Sequence, residues 1–500
     1  MAYERLGAQD ASFVLWEHRE TPMHVGAIAI LDAATLRTAD GGIDADRITK
    51  HVASRLHLLP RYRQRLAALP GSGHPIWIDD AHFDLRRHLR RAALPRPGTE
   101  SELKELCAQI LEGRLDRDHP LWEMWIVEGL EGDRCALVTK VHHCMVDGVS
   151  GMNLLTLLMS RDPDEETQPE AEWYPEPEPN LLDFALGEVE RGWREGTALV
   201  RSVARAVRAP RTTLERIGAA AGALADAAAA GMRWTVATRV NRPIGPHRRI
   251  DWLGLDLATA KHVKNRLGGT LNDVVLSTLA GALHRFFAEH PTWHARFDYR
   301  IVVPVNLRPP GDASVGGNRV SAHFLSLPIA EPDPLVRHRA VCAATTQMKR
   351  SRAAEGIELV TGLVDRLAAL PLVRFGGDFI AWLRPYNLIV TNVPGPQVPL
   401  YVLGARLRSL YPMLPLFEAQ GLGVAVLSYD GRLGVGLIGD RELAPDLSML
   451  RDAVEHSFEE LVAASESERG DVPLAASAEG RRSATKRRTG STRPAKRAVR

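Results

Sequence analysis

Short apolar runs, set off by Gly, Pro and Asp-Gly, recur along this chain, and most have the length of a strand. Cys135-Ala136-Leu137-Val138-Thr139-Lys140-Val141 reads as a strand leading into a Leu-rich helix, Met152 to Met159. Arg300 to Arg308 reads as a strand ending in polar residues, and Ser321 to Ile329 as another. Asn387 to Val393 is an apolar strand halted by Asn392-Val393-Pro394-Gly395. Leu422 to Tyr429 and Leu433 to Ile438 flank Asp430-Gly431, which fits a type I′ turn and predicts a hairpin. Helical spacing appears at Val275, Leu279, Leu283 and Phe286, behind Thr270 and Asp273, which have nearly the spacing of a capping box. It returns at Ile357, Val360, Leu363, Val364, Leu367 and Leu370, before Pro371. With so few charges, that helix suits either a core or a membrane surface.

Between these sets the pattern changes. Residues 161–180 hold eight acids and five prolines and read as a solvated linker. Leu181 to Val240 is Ala- and Arg-rich, with the weak hydrophobicity of helices that bridge domains or lie on a surface. No fixed period repeats, which excludes a solenoid. The division predicted is 1–160, a bridging segment 161–249, a second domain 250–465 and a disordered basic tail 466–500. Five hundred residues suit two such domains.

Charge alters the picture only at the tail. The net charge is +2, but residues 481–500 hold nine Lys/Arg and no acid. Residues 1–480 therefore carry 54 basic and 61 acidic groups, a net of −7, so the body is no nucleic-acid binder by charge. The tail is expected to be an anionic-membrane anchor, or a solubilising or nonspecific nucleic-acid-binding extension. Cys107, Cys135, Cys144 and Cys342 form neither a zinc pattern nor a disulfide framework, as expected for a reducing cytoplasm. No run of 18 uncharged apolar residues occurs and no signal peptide is read.

The chemistry concentrates in Val141-His142-His143-Cys144-Met145-Val146-Asp147-Gly148-Val149-Ser150. Adjacent histidines at a strand end project to opposite faces, so the pair is a poor metal grip, and none is predicted. Asp147-Gly148 reads as a tight turn. A neutral imidazole at a strand rim can take a proton from a hydroxyl near neutral pH. Cys144 reads as core filler.

His-His-x-x-x-Asp-Gly is the signature of acyltransferases that resemble chloramphenicol acetyltransferase. Among them, the chain resembles the bacterial wax ester synthase/diacylglycerol acyltransferases. Asp10-Ala11-Ser12-Phe13, Thr21-Pro22-Met23-His24-Val25-Gly26, Trp77 to Leu85 with His88, Pro120-Leu121-Trp122 and Asn392-Val393-Pro394-Gly395 carry that resemblance over roughly residues 8–465. It implies an α/β fold of two chloramphenicol acetyltransferase-like domains, each a mixed sheet with flanking helices, and a tunnel between them. Ala27 to Leu31 would be the first strand. His143 would be the proton acceptor, with His142, Asp147 and Gly148 supporting the loop and Asp147 held by an Arg not identifiable from sequence. Asn272, Asp273, Arg308 and Asn392 would line the substrate site. Acyl-CoA would be a co-substrate and no cofactor is implied; the acceptor would be diacylglycerol or a long-chain alcohol. Arg61-Tyr62-Arg63-Gln64-Arg65 could meet phosphates of coenzyme A or lipid, or form a solvated helix end. The enzyme would work in the cytoplasm, peripheral to the inner membrane or to lipid droplets. Two other readings stay open here: a condensation-type domain using carrier-bound substrates, and a non-catalytic lipid-droplet protein of the same fold.

Overall fold

The computed structural model describes residues 3–145, 158–209, 237–288, 298–306, 320–350 and 386–467, with a few single positions between 211 and 235. Its strands in chain order begin with β1 (Glu4–Arg5), β2 (His24–Asp32), β3 (Gln64–Ala68), β4 (Pro75–Asp79) and β5 (Leu89–Ala93). Next come β6 (Trp122–Leu130), β7 (Arg134–His142), β8 (Arg248–Asp256), β9 (Tyr299–Asn306) and β10 (Val320–Leu327). The last are β11 (Leu388–Pro394), β12 (Tyr401–Val402), β13 (Ala405–Met413), β14 (Leu422–Tyr429) and β15 (Arg432–Asp440).

Two six-stranded mixed sheets dominate, in the orders β12-β13-β2-β7-β6-β5 and β10-β9-β11-β14-β15-β8, beside a small sheet β1-β4-β3. In the first, only β5 and β6 run parallel; in the second, β11 is parallel to both β9 and β14. The predicted strands are present. β14 is buried at every residue, which is why its sequence reads as one unbroken apolar run. Asp430 and Gly431 take φ of 41° and 79°, the two left-handed positions that a type I′ turn requires.

The first sheet is completed by the other half of the chain. β13 pairs antiparallel with β2, Met413 opposite Gly26 and Leu407 opposite Leu31. Residues 401–413, assigned from sequence to the 250–465 block, thus build the sheet that carries the histidines. A mixed core seals the junction, with Ile28, Val138, Trp252, Ile389, Met413 and Ile438 in one cluster. At Gly434 and Gly436 a Cβ would overlap the carbonyl oxygens of Leu410 and Pro412, so glycine is what lets β15 cross β13 this closely.

The acidic stretch 161–180 has no regular structure and is mostly exposed, yet it is tied down. Glu165 pairs with Arg55 at 2.7 Å and Glu178 with Arg65 at 3.2 Å. Trp173 lies 5.0 Å from the Arg63 guanidinium. Charge thus makes this segment a strap on the first half, where composition alone suggested a free linker. The basic run beside it is likewise engaged: Arg61 meets Glu4, and Arg63 is buried. Of the helix expected over 152–159 only Leu158 and Met159, both buried, are described; the helix expected over 357–370 and the tail from 468 lie outside the described residues, as does the 146–150 loop on which the expected tunnel depends.

Candidate active site

β7 delivers the histidine pair. His142 is the last residue of the strand and sits opposite His24 of β2. His143 opens a 3-10 turn, His143–Met145, so the rings part because the backbone leaves the strand between them. Two backbone bonds hold this exit. The His142 amide donates to Leu121 O at 2.9 Å, and the His143 amide donates to Met23 O at 2.8 Å. Pro-Leu-Trp thus works through its backbone, while Trp122 is fully buried, donates Nε1–H to Tyr62 O and stacks on His88 at 4.6 Å.

His143 is half-buried, its ring stacked on Phe13 with centroids 3.9 Å apart. Phe13 in turn lies 6.5 Å from Phe417, which follows β13, so the second half of the chain reaches this site. Burial disfavours the imidazolium and pulls the pKa of His143 down to about 4. At neutral pH the ring is uncharged and able to accept a proton.

His142 faces a buried polar cluster. Its Nδ1 accepts the Cys144 amide at 3.2 Å and lies 2.9 Å from Cys144 Sγ, which assigns the ring proton to Nε2. Nε2 points toward Glu17 Oε1, 3.7 Å away, and His24 Nε2 is 3.3 Å from the same oxygen. Glu17 Oε2 receives Arg117 at 2.8 and 3.1 Å, and Arg114 at 3.4 Å. The Met23 amide donates to Oε1 at 3.4 Å. One carboxylate therefore touches both histidines and, through Met23, the backbone on which His143 hangs.

The ionisation states agree with this geometry. Burial alone would raise Glu17. Its hydrogen bond to His24, the nearby His142 ring and the hydrogen bond from Arg117 outweigh that and hold it well below the usual carboxylate range. His142 is pulled to about 3, chiefly by burial, and His24 is lowered for the same reason. A buried anion thus sits between neutral imidazoles and balances two arginines. Two imidazoles and a carboxylate could suggest a metal, but the guanidinium groups occupy the carboxylate, and among the described residues no metal-binding cluster forms.

The other expected residues divide into three groups. Asn392 Nδ2 donates to Asn272 Oδ1 at 3.2 Å, so these two meet at the end of β11. Asp273 caps its own helix: Oδ2 accepts the Thr270 amide at 2.7 Å, and Thr270 Oγ1 accepts the Asp273 amide at 3.3 Å. Asp147, Gly148 and Arg308 lie outside the described residues. The sequence reading missed Glu17, whose one signal was an acid closing the Ala8–Trp16 helix just before Thr21-Pro22-Met23-His24. Cys144 is buried and its thiol pushed well above the ordinary range, chiefly by burial, so it stays protonated.

Comparison with known proteins gives this arrangement its context. Residues 6–275 match the wax ester synthase/diacylglycerol acyltransferase catalytic domain, and residues 316–462 match the C-terminal domain of the same family. A putative diacylglycerol O-acyltransferase of Mycobacterium tuberculosis (strain H37Rv) is 36% identical over 487 residues, covering 93% of this chain and 91% of that protein. A probable diacylglycerol O-acyltransferase of the same strain is 31% identical over 468 residues, covering 91% and 95%. The solved wax ester synthase/diacylglycerol acyltransferase from Marinobacter aquaeolei VT8 superposes with a TM-score of 0.66 at 25% identity, over 92% of this chain and all of that one. The first condensation domain of the CDA synthetase, at 16% identity and a TM-score of 0.56 over 92% and 96% of the two chains, shares the fold. Two mixed sheets, a histidine pair at the rim of one of them, and family matches along nearly the whole chain lead to one conclusion: this chain is an acyltransferase and belongs to the wax ester synthase/diacylglycerol acyltransferase family.

Proposed function

We propose that the enzyme moves a long-chain acyl group from acyl-CoA to diacylglycerol, making triacylglycerol, and also accepts long-chain alcohols, making wax esters. The observation that carries this reading is His143: a neutral imidazole at the rim of a strand, in a chain matched by the family's catalytic domain. In our mechanism His143 accepts the proton of the acceptor hydroxyl as its oxygen attacks the thioester carbonyl. The tetrahedral intermediate collapses, the C–S bond breaks, and the proton passes from His143 to the departing thiolate. No acyl-enzyme forms, in keeping with a protonated Cys144. Glu17 is a positioning residue that fixes His142, His24 and Met23. We assign Asp147 and Gly148 to support of the histidine loop. Arg308, Asn272 and Asn392 take substrate contacts, Asn272 toward the thioester oxygen with Asn392 holding its amide, and Asp273 holds the helix start beside them.

The acceptor and product dissolve in lipid, so we place the enzyme on the cytoplasmic side, at the inner membrane or a lipid droplet. Among the described residues no helix is long and apolar enough to cross a membrane. The deciding experiment incubates purified protein with palmitoyl-CoA and either dioleoylglycerol or hexadecanol, following free thiol and extracted lipid. Thiol matched by triacylglycerol is expected. Thiol release without ester from either acceptor would overturn the reading in favour of hydrolysis.

A further inference from the structure

The helix Leu181–Arg208 is 28 residues long, roughly 42 Å at 1.5 Å per residue, and among the described residues its contacts with the rest of the fold lie on one side. On that side the Phe184 ring lies 5.1 Å from Tyr3, and Arg5 Nη1 reaches both Glu188 oxygens at 3.0 Å. Phe184 leans on the small apolar cluster of Leu69, Ile76 and Ile78. The opposite side is apolar and faces water. Leu182, Leu186, Val189, Trp193 and Val200 recur at helical spacing and form one stripe. Their exposures are 65%, 59%, 70%, 77% and 68%. Scattered single apolar residues on a surface need no explanation, whereas five in register on one helix do.

Charge narrows down what covers the stripe. Arg194, Arg201 and Arg208, seven residues apart, run along one flank and are all exposed. The three acids of the helix whose side chains are described each have a partner, Glu190 on the helix itself. Glu188 meets Arg5 and Arg191, Glu190 meets Arg194, and Asp183 accepts the Asn180 amide at 2.9 Å. An anionic lipid surface satisfies all three features: a depth of apolar chains for Leu and Val, an interfacial layer suited to the Trp193 indole, and phosphates for the arginine flank. The body carries a net charge of −7 through residue 480, so an anionic leaflet repels it except where such a basic flank is turned inward.

We infer that the exposed face of Leu181–Arg208 is a lipid-docking surface, lying in the plane of an anionic membrane or droplet monolayer and holding the enzyme where its acceptor dissolves. This rests on the acyl-acceptor reading above for its purpose, though its test does not depend on turnover. Full-length protein is floated with phosphatidylcholine vesicles, with and without phosphatidylglycerol, and compared with the Val189→Glu/Trp193→Glu and Arg201→Glu/Arg208→Glu variants. The first pair is expected to lower vesicle affinity about tenfold or more on both compositions. The arginine pair should lower it only where phosphatidylglycerol is present, and less so at high salt. Turnover on detergent-dispersed acceptor should match wild type in both. Wild-type protein that stays off anionic vesicles, or a Val189→Glu/Trp193→Glu protein that binds them as well as wild type does, overturns the inference. So does a wild-type dimer in light scattering that this variant dissolves without changing vesicle binding, which assigns the stripe to a second copy. Vesicle binding without acyl transfer in detergent would instead sink the acceptor reading and leave the docking surface standing.

Discussion

At the end of β7 the first sheet gathers buried charge; at the end of β11, among the described residues, the second sheet holds a neutral amide pair beside one buried acid, Asp273. Around His142 lie Glu17, His24 and Arg117, and farther along the same strand Lys140 meets Glu123 at 3.1 Å. Around Asn392 lie the neutral amide of Asn272 and, one residue on, an acid spent on its own helix cap. Two turns into that helix, Ser277 meets His338 at 2.9 Å while donating to Asp273 O, a bolt between helices. A buried charge is tolerable only when paired, so the cluster at β7 is an all-or-none device. The amide pair at β11 can lose a member cheaply. The two mixed sheets have similar architecture, yet the histidine pair we propose for the chemistry sits where the fold accepts that electrostatic cost.

The sharpest way to break the comparison is at His143. Replacement by Ala should lower acyl transfer about a hundredfold or more with the fold intact, because the ring is half-buried and its backbone bond to Met23 remains. Wild-type-like turnover in this variant would remove the histidine from the mechanism. Its environment also sets a pH profile. With His143 near 4, the base is lost only as pH falls through that value. kcat/KM should thus stay level well below pH 6.5, where an ordinary histidine would already be protonated. Stability behaves differently. His24, His142 and His143 have lowered values in the fold, so the unfolded chain binds their protons first, and the melting temperature should drop as pH falls below about 6.5.

Next in size is Glu17→Gln. It leaves Arg117 and Arg114 facing a neutral amide and removes the anion that both histidines share. We expect kcat to fall about 10- to 100-fold with KM nearly unchanged, since the residue orients the base and is not assigned a substrate contact. A stability loss of about 1–3 kcal/mol should accompany it, discounted because both arginines reach solvent. An unchanged kcat beside a lowered melting temperature would make Glu17 purely structural. On the second sheet, Asn392→Ala removes one side-chain hydrogen bond, and a loss of about 1 kcal/mol in kcat/KM, at most about tenfold, is expected. A larger fall there would erase the contrast between the two sheets.

What could be read from the sequence was what is local. The hairpin at Asp430-Gly431, the strand into His142 and the Thr270–Asp273 cap are each encoded within a few residues, and all three are present. Two features were not legible because their partners are distant in the chain. β13 pairs with β2 almost four hundred residues away, and nothing in Ala405–Met413 says which sheet it will join. Glu17 acquires its role from His142 and Arg117, each at least a hundred residues on. Taken alone, it is one more acid at the end of a short helix. The histidine geometry was anticipated for a different reason from the one observed: the rings part because the strand ends at His142, not because it continues.

Cys144 gives the smallest effect and the finest test. From sequence it reads as core filler, and the 3-10 turn brings it against His142, Sγ 2.9 Å from Nδ1. A thiol beside an imidazole is the usual arrangement of a cysteine nucleophile. Here the ring already accepts the Cys144 amide, and burial with the nearby acids Asp10 and Glu17 disfavours a thiolate. Cys144→Ala keeps the amide bond to His142 and removes only the sulfur, so turnover should stay within about threefold of wild type. Quenching the enzyme with radiolabelled palmitoyl-CoA should leave no hydroxylamine-sensitive label on the protein. A thioester trapped on Cys144 would replace direct transfer with a two-step mechanism and make His142, not His143, the activating base.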